Sequence, residues 1–214
     1  MDEDISAINT STRNEKIKNF FVNNKKRIII VLSILILLVL GYFAYDEIKK
    51  RNKIKIADQY NGSKINFLSG NKTNIENEMV EIIQAKDKTY SPLALYFLLD
   101  NNIIESQDKI NNLFDVLINK TRLDKEIINL ITYKKALYNS DFATENNLLK
   151  ILNPIINSDS IWKSHALYLL GEYFLSKNEK KKSKEFFEKI LIIKNVNSKI
   201  KLEAQRRIER DLGE

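Results

Sequence analysis

Residues 28–45, IIIVLSILILLVLGYFAY, contain no charged side chain, whereas the apolar residues beyond them recur at helical spacing among polar ones. Eighteen helical residues rise about 27 Å, close to the hydrocarbon thickness of a bilayer. Backbone amides in lipid must pair within their own segment, so residues 27–45 are predicted to form a single transmembrane helix. The run follows Lys25-Lys26-Arg27 and closes with Tyr42, Phe43 and Tyr45, rings suited to the headgroup level. A cleaved signal peptide fits less well. Its apolar core is usually about 7–15 residues, and Gly41-Tyr42-Phe43-Ala44-Tyr45 places bulky rings where a signal peptidase takes small ones. Charge bias hardly decides the orientation. Arg13, Lys16, Lys18, Lys25, Lys26 and Arg27 precede the run, and Lys49, Lys50, Arg51, Lys53 and Lys55 follow it. The three cations abutting the first turn favour a cytoplasmic N-terminus.

Before the run, residues 1–12 are polar and expected to be disordered, and Glu15–Asn23 is amphipathic, with Ile17, Phe20 and Phe21 on one face. That stretch either lies on a membrane surface or begins the helix. After it, Asp46 to Phe67 is predicted to continue the helix, weakened at Gly62 and ended by Ser69-Gly70-Asn71. Thr73-Asn74-Ile75-Glu76 has the pattern of a capping box opening a helix that carries Met79, Ile82 and Ile83. Ser91-Pro92 starts the next, with proline at the first helical position. Further helices are predicted over Gln107–Ile118, Lys125–Tyr138, Phe142–Leu152, Ser160–Leu175, Glu179–Ile193 and Ser198–Leu212. Such lengths with short polar connections describe antiparallel hairpins. The chain thus divides into a basic cytoplasmic tail (1–26), the transmembrane helix (27–45), juxtamembrane helices (46–90) and a helical-repeat domain with a capping helix (91–214).

Composition agrees. Five Gly and two Pro in 214 residues are few for a β-rich fold. With no Cys, disulfides, thiolate metal sites, a cysteine nucleophile and cysteine lipidation are excluded. The net charge of +7 raises nucleic acid as a partner. Much of the excess, however, flanks the apolar run, where cations meet anionic headgroups, and elsewhere acids and bases intersperse as on a solvated helical surface. A nucleic-acid partner is not expected.

Two hairpins share a pattern. Leu167, Leu170-Gly171 and Phe174 precede Ser183 and Phe187, and Leu93-Ala94 and Phe97 precede Ser106 and Ile110. In each, a small residue lies twelve positions before a small residue of the next helix, as a close helix crossing requires. The spacing resembles the tetratricopeptide repeat, W-x2-L-G-x2-Y, then A-x3-F, then P, with Leu167 for Trp, Phe174 for Tyr, Ser183 for Ala and Asn195 where Pro is usual. The hairpin Lys125–Leu152 fits no clean register. The overall layout, with Trp162-Lys163-Ser164-His165-Ala166, Leu169–Phe174 and the charged helix Leu202–Ile208, resembles the YfgM-like ancillary SecYEG translocon subunits of Gram-negative bacteria. The resemblance implies an all-α solenoid of degenerate tetratricopeptide-like hairpins in the periplasm behind an inner-membrane anchor. It also implies association with the translocon and periplasmic chaperones or nascent secreted chains.

Candidate chemistry is sparse. His165 is the only histidine, too few for a usual zinc site, and a structural or surface role is the simpler reading. Trp162 suits a packing anchor between repeats. Lys180-Lys181-Lys182-Lys184 at a helix start opposes the macrodipole and points weakly to an acidic partner or lipid headgroups, a solvated turn being the plainer reading. Glu76, Glu78 and Glu81 stand in no acid–base constellation, and there is no Walker loop, dinucleotide fingerprint, GxSxG or HExxH. An enzyme is not expected, nor a cofactor or metal. By the tetratricopeptide resemblance, a concave partner groove would use His165, Tyr168, Glu172 and Leu175, with Lys88, Ser91 and Leu95 in the earlier copy. Function is then expected to be protein–protein interaction at a membrane, the alternative being a structural adaptor of envelope assembly or cell division that self-associates into a homo-oligomer.

Overall fold

The computed structural model describes the chain except residues 1–14, 17, 195 and 214. The expectations for the N-terminal tail, for Ile17 and for Asn195 therefore lie outside the described residues. What is described is helical, without a strand. The chain forms two compact units, one through residue 55 and one from residue 56.

In the first unit, residues 18–23 are helical with Phe20 and Phe21 exposed and edge to face. Helix α1 (Lys25–Leu68) follows. It contains an 18-residue stretch of mean hydropathy 2.8, none of it buried, and is long and apolar enough to cross a membrane. Just beyond that stretch the polar surface begins with the i,i+4 pairs Asp46–Lys50 (2.8 Å) and Glu47–Arg51 (2.7 Å).

In the second unit, Ile56, Tyr60, Ser63 and Phe67 bring one stripe of α1 against its neighbours. Gly62 does not interrupt the helix. It ends at Gly70, whose φ of 90° lets the Asn71 N–H reach the Asn66 carbonyl and its own N–H reach Phe67. Helices α2 (Ile75–Gln84), α3 (Tyr90–Asp100), α4 (Gln107–Lys120), α5 (Lys125–Asn139), α6 (Glu145–Ile156), α7 (Lys163–Ser176), α8 (Lys180–Leu191) and α9 (Ser198–Asp211) follow. Each packs on its chain neighbour, most closely α7 on α8, α2 on α3, α8 on α9 and α5 on α6, and α9 also lies on α7. Buried apolar residues form three successive clusters: one from α2 to the start of α5, a second from α5 to α7, and a third among α7, α8 and α9.

The last hairpin is built as the sequence spacing demands. Leu167, Leu170, Gly171, Phe174, Ser183 and Phe187 are all buried, and the Ser183 hydroxyl donates to the Gly171 carbonyl at 2.8 Å. The earlier copy differs. Ala94 and Phe97 are buried, but Leu93 is exposed, and Ser106 is an exposed N-cap accepting from Lys109 N–H at 3.3 Å. The close partner of α3 is α2 instead, because the buried Ser91 hydroxyl donates to the Ile82 carbonyl at 2.7 Å. The capping box does not form. Asn74, at φ 63°, takes the N-cap of α2, while Glu76 pairs with Lys109 and Glu78 accepts from Ser63. Helix α3 starts at Tyr90, so Pro92 occupies the third helical position, still within the turn that lacks intrahelical acceptors. The Asp87 carboxylate closes that turn, accepting from Thr89 and Tyr90 N–H at 2.8 Å each. Helix α6 runs past Leu152 through an exposed Pro154, which brings Ile155 into the core.

Candidate functional site

A groove of about 710 Å³ lies across α4, α5 and α6. Helix α4 contributes Asn111, Asp115 and Asn119, and α6 contributes Asn147 and Lys150. Helix α5 supplies the floor through Asn129, Thr132 and Asn139, which are only 6%, 7% and 7% exposed. A buried amide must be paired, and these are. Asn111 and Asn139 exchange side-chain hydrogen bonds at 3.0 and 2.8 Å, and Asn139 also donates to the Lys135 carbonyl at 2.7 Å. The Thr132 hydroxyl donates to the Ile128 carbonyl at 2.8 Å, and Asn129 donates to Glu126 at 3.3 Å. Lys135, nearly buried, is held by Asp115 at 2.8 Å. The side chains of Asn119 and Asn147 make no hydrogen bond among the described residues, and Phe142 stands exposed on the rim.

Chemically this is a binding surface. Amide side chains present donor and acceptor together, the complement of a peptide backbone. The lining offers no thiol or imidazole, and among the described residues no cluster of three or more His, Asp or Glu could hold a metal ion.

None of the residues expected to form the partner groove lines this surface. Ser91 and Leu95 are fully buried between α2 and α3 and cannot receive a partner. Lys88 is exposed in the turn between those helices. Tyr168 and Leu175 are half-buried in the third cluster together with Ile200, Ala204 and Ile208 of α9. Glu172 is engaged by Arg207 of α9 at 2.7 Å, and Asp211 holds the same guanidinium at 2.9 Å. Asp211 is thereby kept well below the usual carboxylate range, by Arg210 first and then Arg207. This face is thus occupied by the chain's own helix. Arg207→Ala is expected to loosen α9 by about 1 kcal/mol or less, since the pair is partly solvated. Hydrogen exchange checks it: α9 amides should exchange faster while the interior of α7 is unchanged.

His165 packs beside Trp162 (4.9 Å between centroids) and Tyr133 (5.8 Å), and Trp162 in turn stacks on Tyr133 at 5.9 Å. Trp162 therefore packs α7 against α5. The His165 Nδ1 is buried without a hydrogen bond. Burial lowers its pKa from 6.5, with the Ile161 backbone acting weakly in the opposite sense. The folded state therefore binds fewer protons than the unfolded chain just below pH 6.5, so this group's stabilisation is complete above 6.5 and falls as pH drops. A melting-temperature series from pH 7.5 to 5.5 should decline more steeply for the native chain than for His165→Phe.

The Lys180–Lys184 cluster is less free than its sequence implies. Lys182 is bound by Glu145 of α6 at 2.9 Å and by Glu179 at 2.8 Å, which raises its pKa. No family model matches the chain, and no curated protein or solved structure does.

The amide groove escaped the sequence reading because Asn129, Thr132, Ala136 and Asn139 occupy the inner stripe of α5, where apolar residues are expected. That spacing was itself the available signal: polar residues at i, i+3 and i+10 of a stripe that must be buried.

Proposed function

We propose that this protein is a membrane-tethered interaction scaffold. The 18-residue stretch of α1 is the anchor, and the helices beyond it form a short solenoid of degenerate tetratricopeptide-like hairpins whose α4–α6 groove takes an extended segment of a partner protein. The observation that carries this reading is the asparagine-floored groove, an open surface whose buried polar side chains are already paired and whose rim amides are unengaged. Tethering confines the partner search to a thin layer and raises effective concentration without new contacts. In its specific form, which rests on the layout resemblance, the anchor lies in a bacterial inner membrane with the helical domain in the periplasm, and the partners are the Sec translocon with periplasmic chaperones or emerging chains.

The test is in-cell photo-crosslinking from Asn119 and Lys150 on the groove, with Lys88 as the position away from it. Adducts with periplasmic folding factors or translocon subunits from the groove positions alone are the expected result. Equal labelling from Lys88, or adducts only with cytosolic proteins, would reject the groove or the orientation respectively. Adducts with a second copy of the chain would favour a self-associating adaptor instead.

A further inference from the structure

A second surface shares no lining residue with the amide groove. Between the α6–α7 turn and the end of α8 lies a cavity of about 730 Å³. Its walls are aliphatic and aromatic, including Ile156, Leu167 and Phe186, and its lips are Ile161 and Ile192, 70% and 81% exposed.

Single exposed isoleucines need no explanation, but two flanking one apolar cavity do. Neither is a loose loop tip. The Ile161 N–H donates to the Glu126 carboxylate at 3.3 Å, and the adjoining Ser160 hydroxyl donates to the same carboxylate at 2.7 Å. This fixes the α6–α7 turn to α5. Ile192 is the C-cap of α8, and the N–H of the next residue is bonded to the Ile190 carbonyl at 3.2 Å. Hydrogen bonds through the N–H of Ile161 and of the residue after Ile192 therefore tie down both lips.

Charge selects the occupant. Lys163, Lys189 and Lys194 line the cavity against a single carboxylate, Asp159. Lys182, two turns before Lys189 on α8, is taken up by Glu145 and Glu179, whereas these three lysines have no ion-pair partner among the described residues. Lys189 instead lies over the Phe186 ring at 4.6 Å, which sets its ammonium at the cavity edge.

We propose that this cavity docks an acidic amphipathic segment of a partner protein, with aliphatic side chains seated between Ile161 and Ile192 and carboxylates meeting Lys163, Lys189 and Lys194. An apolar floor with a like-charged cationic rim rejects a basic segment by repulsion and a purely acidic one for want of apolar contact. The site is open and rimmed, which suits a protein segment that enters from the side. It is independent of the amide groove, so one partner chain could engage both or two partners one each.

The test uses the full chain in phosphatidylcholine nanodiscs and two fluorescent helix-forming peptides. One carries leucine on one face and glutamate on the other, and its counterpart has lysine for glutamate. The glutamate peptide is expected to bind and the lysine peptide not to, with binding weakened by added salt. Ile161→Asp and Ile192→Asp, both at exposed positions, should each weaken binding about tenfold or more, the factor corresponding to lost burial of one aliphatic side chain. The double variant K189E/K194E should reverse the preference between the peptides. Equal binding of the two peptides, binding unaffected by the isoleucine variants, or no binding to folded protein would overturn the proposal. Displacement of the glutamate peptide by phosphatidylglycerol nanodiscs but not by unlabelled peptide would reassign the site to lipid and overturn it equally.

Discussion

Gly171→Ala is expected to lower the stability of the helical unit by a net of about 1–2 kcal/mol, and Gly171→Leu to unfold the α7–α8 hairpin. Alanine is the better helix former by roughly 1 kcal/mol, so propensity alone predicts the opposite sign. The crossing decides otherwise. A Cβ on Gly171 would come within 2.5 Å of Phe187 Cε1, and Phe187 is wholly buried, so its ring must shift against the core around it. The Ser183 hydroxyl bound to the Gly171 carbonyl prevents the helices from separating to make room. Urea denaturation followed by circular dichroism measures the effect. A second variant, Phe187→Leu in the Gly171→Ala background, should recover part of the loss, giving a coupling between the two positions. A Gly171→Ala protein as stable as the parent would show that the hairpin relaxes freely, contrary to this packing.

Asn139→Leu is expected to cost about 1–3 kcal/mol, because Asn111 loses both of its bonds to Asn139 and keeps only the one to the Gln107 carbonyl, leaving its Oδ1 without a partner at a half-buried position. The informative comparison is Asn111→Leu with Asn139→Leu, which should cost clearly less than the two single changes added, since removing both partners leaves no stranded amide. The same pair separates stability from function. The double variant should fold yet lose crosslinking from Asn119 and Lys150, because the groove floor has become apolar. Additive costs in the cycle would mean that the two side chains do not act as a pair.

These effects also explain what was legible in the sequence. The helical class and the extents of α4, α5, α7, α8 and α9 follow from apolar periodicity, which local spacing alone encodes. The Gly171–Ser183–Phe187 crossing was legible for a similar reason: close approach requires small residues at matched heights, and twelve positions provide that match. Other features depend on partners distant in sequence. Thr73 and Glu76 have the capping-box pattern, but Lys109 draws Glu76 away and Asn74 adopts the left-handed cap. Ser91 and Leu95 look like a groove face only if α3 pairs forward with α4, whereas the Ser91–Ile82 bond pairs it backward with α2. Tyr168, Glu172 and Leu175 pack against α9, and the charged stripe of that helix gave no sign that Arg207 would settle on Glu172. The amide groove was hidden for a different reason. Its defining residues violate the binary pattern, and an unfamiliar register is read as noise until the facing Asn111 is in view.

The three clusters are unequal in size: among the described residues they hold fifteen, nine and five buried members in chain order. A helical fold whose buried core thins toward one end of the chain need not melt as a single block. Under mild denaturation the α9 side is expected to fray first, baring Tyr168 and Leu175 while the asparagine floor is still intact. A competitor helix able to imitate α9 would therefore meet its lowest barrier there, and the protein could exchange its own strand of structure for a foreign one without losing the remainder of its fold.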